Sequence, residues 1–157
     1  MKEITEYRTK LLKELLASAS EFRKACLAVR DPFQPVEEEG WSVHQIAAHV
    51  RDVDRLVYGL RARRTAEEDN PEFANFDGDA YAREHYSRDE SLEKMLDGFV
   101  QSVESLVDTL HNLSPAAWAR VSRHEKLGAN LTLQLWVERN LAHMHEHLKT
   151  VKKGEIN

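Results

Sequence analysis

The sequence predicts an all-α protein, a four-helix bundle forming a single domain over residues 1–157. Composition is the first indication, because only 6 glycines and 4 prolines occur in 157 residues, which disfavours a turn-rich β fold. Periodicity is the second, since four stretches repeat apolar residues every three or four positions. The length suits one domain with a hydrophobic core. Four amphipathic helices of this kind are typical of a bundle.

The first two predicted helices cover roughly residues 3 to 29 and 42 to 64. The first ends before Asp31-Pro32, because the residue before a proline is pushed out of the α region. The second begins at Ser42, where Ser42 and Gln45 can form a capping box. The first carries an apolar stripe of Ile4, Leu11, Leu12, Leu15, Leu16, Phe22 and Cys26, and the second an apolar arc of Ile46, Val50, Val53, Val57 and Leu60.

The third and fourth predicted helices follow two long connections, residues 65–88 and 112–130. A capping box from Ser87 to Glu90 opens the third helix, which ends near His111. Asn130 is the predicted N-cap of the fourth helix. The second long connection should contain a short helix that starts at Ser114-Pro115. The fourth apolar stripe consists of Val137, Leu141, Met144, Leu148 and Val151.

Charge and cysteine usage exclude several function classes. The net charge is −5 and no Lys/Arg block occurs, so we expect no nucleic-acid partner and no anionic-membrane partner. No apolar run approaches the roughly 18 residues of a membrane span, and the N-terminus lacks a signal-peptide pattern. We therefore expect a cytoplasmic protein. Cys26 lies on an apolar stripe and is interpreted as a core residue rather than a nucleophile.

Three of the eight histidines form the most informative pattern in the sequence. His143 and His147 are four residues apart, so they project from the same side of the fourth helix. His49 falls within the apolar arc of the second helix, where an imidazole needs a partner. It lies early in its helix, whereas the pair lies late in the fourth. Antiparallel packing of the two helices would therefore bring all three together.

Three neutral imidazoles suggest a metal site. They suit Zn²⁺, Ni²⁺, Cu²⁺ and Fe²⁺ and leave coordination positions open. Protonation would oppose binding, so metal affinity should fall as pH drops through about 6. The alternative is three separately hydrogen-bonded histidines. A zinc-protease site is excluded because Met144 follows His143, and a ferritin-like di-iron site because no histidine has Glu three residues before it.

Other polar residues near these helices receive separate interpretations. His145 points away from the His143 and His147 side and should be exposed, and His44 lies off the apolar arc of its helix. Asp54 falls inside that arc and should pair with an arginine.

Three segments together resemble the DinB-like superfamily of metal-binding four-helix bundles. They are Trp41-Ser-Val-His-Gln-Ile-Ala-Ala-His49, Asp77-Gly-Asp-Ala-Tyr81, and Gly128-Ala-Asn-Leu-Thr-Leu133 leading to His143-Met-His-Glu-His147. The resemblance implies an up-down-down-up bundle, a divalent metal held by His49, His143 and His147, and frequent homodimers.

The same resemblance indicates a class of function. The superfamily includes S-transferases and isomerases that use bacillithiol or mycothiol. We therefore expect a metal-dependent enzyme joining a low-molecular-weight thiol, as co-substrate, to a small electrophilic substrate, with zinc or nickel as the ion. A metal-dependent hydrolase and a non-catalytic metal- or ligand-binding bundle are the alternatives, because the fold does not determine the reaction.

Candidate residues for the substrate pocket come from two places. If the third helix runs parallel to the second, as the resemblance implies, loop 31–41 and the segment 81–86 meet at the metal end of the bundle, and their side chains can form a wall there. Trp136 and Asn140 share the helix side of the histidine pair. The alternative for the aromatic residues is ordinary packing at the bundle end. The candidates are Phe33, Trp41, Tyr81, His85, Tyr86, Trp136 and Asn140.

Overall fold

Helices build most of the structure, a computed structural model that describes residues 1–38 and 40–156. The helices are α1 (Lys2–Ala28), α2 (Val43–Val53), α3 (Gly59–Glu67), α4 (Gly78–His85), α5 (Leu92–His111) and α6 (Leu133–Ile156). A π-helical turn (Asp54–Tyr58) joins α2 to α3 without a break, and a 3₁₀ helix (Pro115–Ala119) follows α5. The strands are β1 (Glu72–Phe73), β2 (Val121–His124) and β3 (Gly128–Thr132).

Helices α1 and α6 run parallel to each other. Tyr7 donates a hydrogen bond to Glu138 near the start of both helices. Further along, the Ser18 hydroxyl lies 3.0 Å from His145 Nε2. Contacts therefore move toward the C-terminal end of both helices together, as they do between parallel helices.

The remaining helix pairs complete the topology. Early in α2, His44 Nε2 lies 2.7 Å from the Glu90 carbonyl just before α5, and in α3 Arg63 donates to the Ser102 carbonyl midway along α5. The α2–α3 segment and α5 are therefore parallel. The α2–α3 segment runs antiparallel to α6. Its late residue Arg61 lies over the ring of Trp136, near the start of α6. The predicted up-down-down-up four-helix bundle is confirmed.

Several predicted helix ends and caps are confirmed. Helix α1 stops at Ala28, ahead of Asp31-Pro32. The Ser42 hydroxyl accepts from the Gln45 amide and the Gln45 side chain accepts from the Ser42 amide, which forms the capping box. Ser114 caps the 3₁₀ helix that begins at Pro115.

The predicted start of the third helix is wrong, because the N-cap of α5 lies four residues later than the proposed cap, Ser87. Its N-cap is Ser91, whose hydroxyl accepts from the Lys94 amide at 3.2 Å. The Ser87 hydroxyl instead accepts from the Asp89 amide in a preceding turn. Each serine is followed three residues later by a polar residue, so the sequence offers two possible caps. The first serine stabilises the turn, and the second caps the helix.

The predicted N-cap of the fourth helix is also wrong. Helix α6 begins at Leu133, where the Thr132 hydroxyl accepts from the Leu135 amide at 3.1 Å. Asn130 lies in β3 with a φ of 61°, a left-handed conformation that asparagine tolerates better than most residues. Because β3 continues to Thr132, the residue that caps α6 is Thr132, two residues after the predicted cap.

The small sheet is an element that the sequence analysis does not predict. Its order is β1-β2-β3, with β1 and β2 parallel and β2 and β3 antiparallel. It lies against the start of α6, since Phe73 packs edge-on to Trp136 and the indole of Trp136 donates to the Ser122 hydroxyl at 2.7 Å. The sheet closes the end of the bundle away from His49, His143 and His147.

The π turn shifts which residues of the second helical segment are buried. One extra residue in the turn displaces the face that follows it. Leu60, predicted in the apolar arc, is therefore 39% exposed, whereas Ala62 is fully buried. Gly59 makes the turn possible, because a Cβ there would lie well inside contact distance of the Asp54 carbonyl.

The hydrophobic core lies between the four long helical segments. Leu15, Phe22, Phe99 and Met144 are among its fully enclosed side chains. Cys26 is fully buried, as predicted. Ile4 and Leu16, predicted on the α1 stripe, are more than a third exposed. None of the helices described over residues 1–38 and 40–156 is both long and apolar enough to cross a bilayer.

Asp54 is buried in the π turn, and in the described part of the chain no arginine forms an ion pair with it, contrary to the expectation. Its side chain is 2% exposed, and neither carboxylate oxygen has a hydrogen-bond partner of normal geometry among the described residues. Burial raises its pKa to about 6, although Ser102, Arg63 and Asn140 partly oppose the shift. The folded protein therefore holds this proton more tightly than the unfolded chain does.

We expect Asp54→Asn to become progressively more stable than the wild type as pH rises from 4 to 8. The wild type loses stability over this range because its unfolded chain ionises first, near the ordinary aspartate pKa of 3.8. The change in the difference should be about 2 to 3 kcal/mol, corresponding to the raised pKa. Urea denaturation of both proteins at pH 4, 6 and 8 measures it. A difference that does not vary with pH would contradict the buried, proton-holding carboxyl.

Candidate metal centre

Three histidines converge at the interface between α2 and α6. His49 projects from α2, and His143 and His147 project from successive turns of α6. The Nε2 atom of His143 lies 3.3 Å from Nε2 of His49 and 3.0 Å from Nε2 of His147. One ring nitrogen from each residue falls within 4.8 Å of the other two. The antiparallel packing expected from the sequence produces this convergence.

The donor set fits a divalent cation. Two nitrogens bound tetrahedrally at 2.0–2.1 Å from one ion stand about 3.3 Å apart, close to the two Nε2 separations observed. Hydrogen bonds satisfy the cluster less well. Nε2 of His143 faces two other ring nitrogens but can donate to, or accept from, only one of them in its ring plane. A cation at their centre is coordinated by all three nitrogens.

Burial keeps these imidazoles neutral. His49 is 7% exposed, and His143 and His147 are partly buried. Loss of solvation, together with the mutual repulsion of charged rings, lowers the pKa of His49 to about 4 and that of His143 to about 3. Burial also lowers the pKa of His147. Metal ligation requires the neutral form, which the site favours at physiological pH.

A cavity of about 410 Å³ lies beside the cluster. His49 and His143 form one side of it, and Tyr58 from the π turn, whose ring centroid is 5.5 Å from that of His143, forms another. The segment 75–79, just before and within the first turn of α4, forms the rest. The histidines are thus covered by protein on the bundle side and accessible on the other.

Helix α4 approaches His49 through a glycine. A Cβ on Gly78 would lie 3.0 Å from Cε1 of His49 and 3.5 Å from a Val53 methyl group, so with a larger residue the His49 ring or the helix would have to shift. Asp77 caps the helix, with its carboxylate accepting from the Ala80 amide at 3.0 Å. This close approach places the side chain of Asp79 at the cavity.

A second cavity, of about 280 Å³, lies between α2 and α4. Trp41 connects it to the histidines, because its ring centroid lies 5.0 Å from that of His49 and its side chain lines the cavity. Tyr86 and Ala82 add apolar surface, and Asp52 and Arg83 add charge. This mixture of apolar walls and a few polar groups is typical of small-molecule pockets.

The structure distributes the predicted pocket residues over several places. Trp41 and Tyr86 line the second cavity. Phe33 packs on the ring of His44 with centroids 4.7 Å apart. Tyr81 and His85 stack on each other, with centroids 3.9 Å apart, on α4.

Trp136 and Asn140 do not line either of these two cavities. Trp136 is fully buried against the sheet, and Asn140 is 1% exposed near Asp54. Both share the helix side of His143, as the spacing indicates. They lie one and two turns nearer the start of α6, where the bundle interior encloses them.

Two of the five histidines outside the metal cluster, His145 and His44, have different surroundings. His145 is exposed, as predicted. His44 is fully buried, so the expectation that it lies off the buried face is wrong. Its ring nitrogens lie 2.6 Å from the Tyr86 hydroxyl and 2.7 Å from the Glu90 carbonyl. The loop before α2 and the segment before α5 fold over that side of the helix and cover it.

Sequence reasoning did not single out Tyr58, Asn75 or the acidic pair Asp77 and Asp79 as site residues. The available signal was the Asp77-Gly78-Asp79 segment, in which a glycine lies between two carboxylates at a helix start. Its position over His49 depends on how the long connection folds back. Local periodicity contains no information on that path.

Comparison with known proteins identifies the family. The family model of the DinB superfamily matches residues 5–151, and the chain belongs to that superfamily. A comparison with curated proteins found no match.

Among solved structures, the chain is similar to YfiT from Bacillus subtilis, described as a probable metal-dependent hydrolase with an unusual four-helix bundle topology. The TM-score is 0.85 at 19% sequence identity, covering 95% of this chain and 86% of that one. The likeness shows a shared fold.

We expect metal affinity to persist at lower pH than for ordinary histidines. Three histidines of unperturbed pKa would lose about 10⁴-fold in apparent affinity between pH 7 and pH 5. Because His49 and His143 have pKa values of about 4 and about 3, only His147, whose pKa burial also lowers, can titrate over this range. We therefore expect a loss smaller than the roughly 25-fold that one histidine of ordinary pKa would give. Competition titration with a chelator of known proton affinity measures this. A loss of a thousandfold or more would show that the rings titrate as if exposed.

Proposed function

We propose that this protein is a divalent-metal-dependent enzyme acting on small molecules, of the type that transfers a small thiol to an electrophile. The single observation that carries the proposal is the convergence of three neutral imidazole nitrogens beside an open cavity. A structural metal site is normally closed by four protein ligands, whereas a catalytic one keeps an exchangeable position. Three histidines with a cavity beside them match the second description.

Each part of the site has a role in this proposal. His49, His143 and His147 would hold the ion, and their burial keeps them neutral for that purpose. When bound, a divalent cation supplies Lewis-acid chemistry and favours the ionised form of a thiol or water. Tyr58 and segment 75–79 confine the space in which the reacting groups meet.

The second cavity supports binding of a small organic substrate. Trp41 contacts His49 and also lines this cavity, so a molecule held against Trp41 and Tyr86 lies next to the candidate metal centre. Its volume of about 280 Å³ suits a small metabolite. Thiol transfer is supported further by the superfamily resemblance of the segments carrying His49 and the His143–His147 pair.

A metal-dependent hydrolase is the second candidate function. YfiT, which shares the fold, is described as a probable metal-dependent hydrolase. The observation in this chain that favours the same reaction is Asp79, a carboxylate at the cavity that can accept a hydrogen bond from water. Zinc or nickel as the ion, a homodimeric state and a cytoplasmic location stay predictions.

We expect His49→Ala, His143→Ala and His147→Ala each to lose stoichiometric binding of Zn²⁺ and Ni²⁺, because each variant leaves only two ligands. His145→Ala is the matched control on α6. It removes an exposed imidazole bonded to Ser18 and should bind as the wild type does. Isothermal titration of purified, chelator-treated protein measures the stoichiometry. Equal loss in His145→Ala and His147→Ala would refute the assignment.

A paired activity screen tests the type of reaction. We expect the metal-loaded wild type to join low-molecular-weight thiols to small electrophiles, and His143→Ala to fail because it lacks the ion. Mass spectrometry of the products distinguishes a thioether from a product of water attack. Hydrolysis without thiol transfer would favour the second candidate, and metal binding with neither reaction would indicate a non-catalytic bundle.

A further inference from the structure

We propose that Asp79 sets the charge on the open side of the metal centre, and that it makes the site select neutral, hydrogen-donating ligands over anions. This inference rests on the proposed function, because it assumes that the three histidines hold a divalent cation. It assigns a specificity-determining role to a residue outside the triad.

The backbone brings Asp79 to the site. Gly78 allows the first turn of α4 to lie directly on the His49 ring, since a Cβ there would be 3.0 Å from His49 Cε1. Asp79 is the next residue and lines the same cavity as His49 and His143. Its negative charge is therefore close to the side of the histidine cluster that the cavity leaves open.

The Asp79 carboxylate is available for a ligand. It is exposed, and in the described part of the chain it makes neither an ion pair nor a side-chain hydrogen bond. Asp77 lines the same cavity, but one of its oxygens is engaged with the Ala80 amide at 3.0 Å. Of these two carboxylates, only Asp79 makes no hydrogen bond with the described residues.

Two consequences follow from charge alone. Three neutral histidines leave both charges of a divalent ion uncompensated, and a nearby carboxylate strengthens the binding of that ion. The same carboxylate repels an incoming anion but accepts a hydrogen bond from the O–H or S–H of a neutral ligand. The site should therefore admit water, alcohols and thiols, which arrive carrying a proton, in preference to carboxylates and inorganic anions.

The experiment compares Asp79→Asn with Glu84→Gln. Both variants remove one negative charge from α4, but Glu84 is exposed and lines neither of the two cavities. Dissociation constants for Zn²⁺ and Ni²⁺ are measured at pH 7 by chelator competition. We expect affinity to fall about tenfold or more in Asp79→Asn, as for other residues that support metal ligands, and to change less than about threefold in Glu84→Gln.

Azide provides the second readout, because it is an anion with no proton to donate. Its affinity for the Co²⁺-loaded proteins is followed by visible absorption. We expect Asp79→Asn to bind azide at least about threefold more tightly than the wild type, since repulsion by a nearby carboxylate is gone. A loosened fold would weaken azide binding rather than strengthen it. Asp79→Ser, a second neutral side chain at the same position, should show the same gain in azide affinity.

The outcomes separate this inference from the proposed function. Normal metal binding by the wild type, with equal behaviour of Asp79→Asn and Glu84→Gln in both measurements, would overturn the role of Asp79 and leave the metal centre intact. Failure of the wild type to bind Zn²⁺, Ni²⁺ or Co²⁺ would refute the proposed function and this inference together.

Discussion

Three imidazoles removed from water at the interface between α2 and α6 impose the constraint on which the rest of the structure depends. Charged rings could not be accommodated so close together, and burial holds His49 and His143 neutral far below the usual titration range of histidine. Neutral rings whose nitrogens face one another at 3.0 and 3.3 Å leave lone pairs unsatisfied. The antiparallel packing of α2 on α6 therefore places together lone pairs that a bound cation would coordinate.

The two ends of the bundle serve this interface in different ways. At one end the sheet and Trp136 close the core, with the indole hydrogen-bonded to Ser122 and the Arg61 side chain lying across its ring. At the other, α4 lies over α2 and leaves cavities on both sides of the His49 region. Between them, the π turn changes the buried face, so that one continuous helical segment serves both ends.

Sequence reasoning recovered what depends on helical periodicity. The four long segments, their topology and the meeting of His49 with His143 and His147 follow from spacing together with the family resemblance. The sheet did not follow, because β1 has two residues and pairs in parallel with β2 across almost fifty residues of chain. The burial of Leu60 was predicted wrongly because a uniform 100° count cannot contain a π turn. The cover over His44 and the approach of Asp79 depend on connections whose paths are set by tertiary packing.

The arrangement of charge around the histidines connects the fold to the chemistry. Inside the bundle the cation would meet only neutral nitrogens, because a carboxylate ligand there would have to be desolvated. Negative charge enters from the solvent side, on a helix whose first turn can come close only because residue 78 is glycine. A buried neutral face and an exposed acidic face would together create a gradient of electrostatic potential across a bound ion. That gradient would orient a ligand bound between the two faces. The long connection between α3 and α5 is thus more than a crossover, because it supplies the half of the site that the bundle itself cannot.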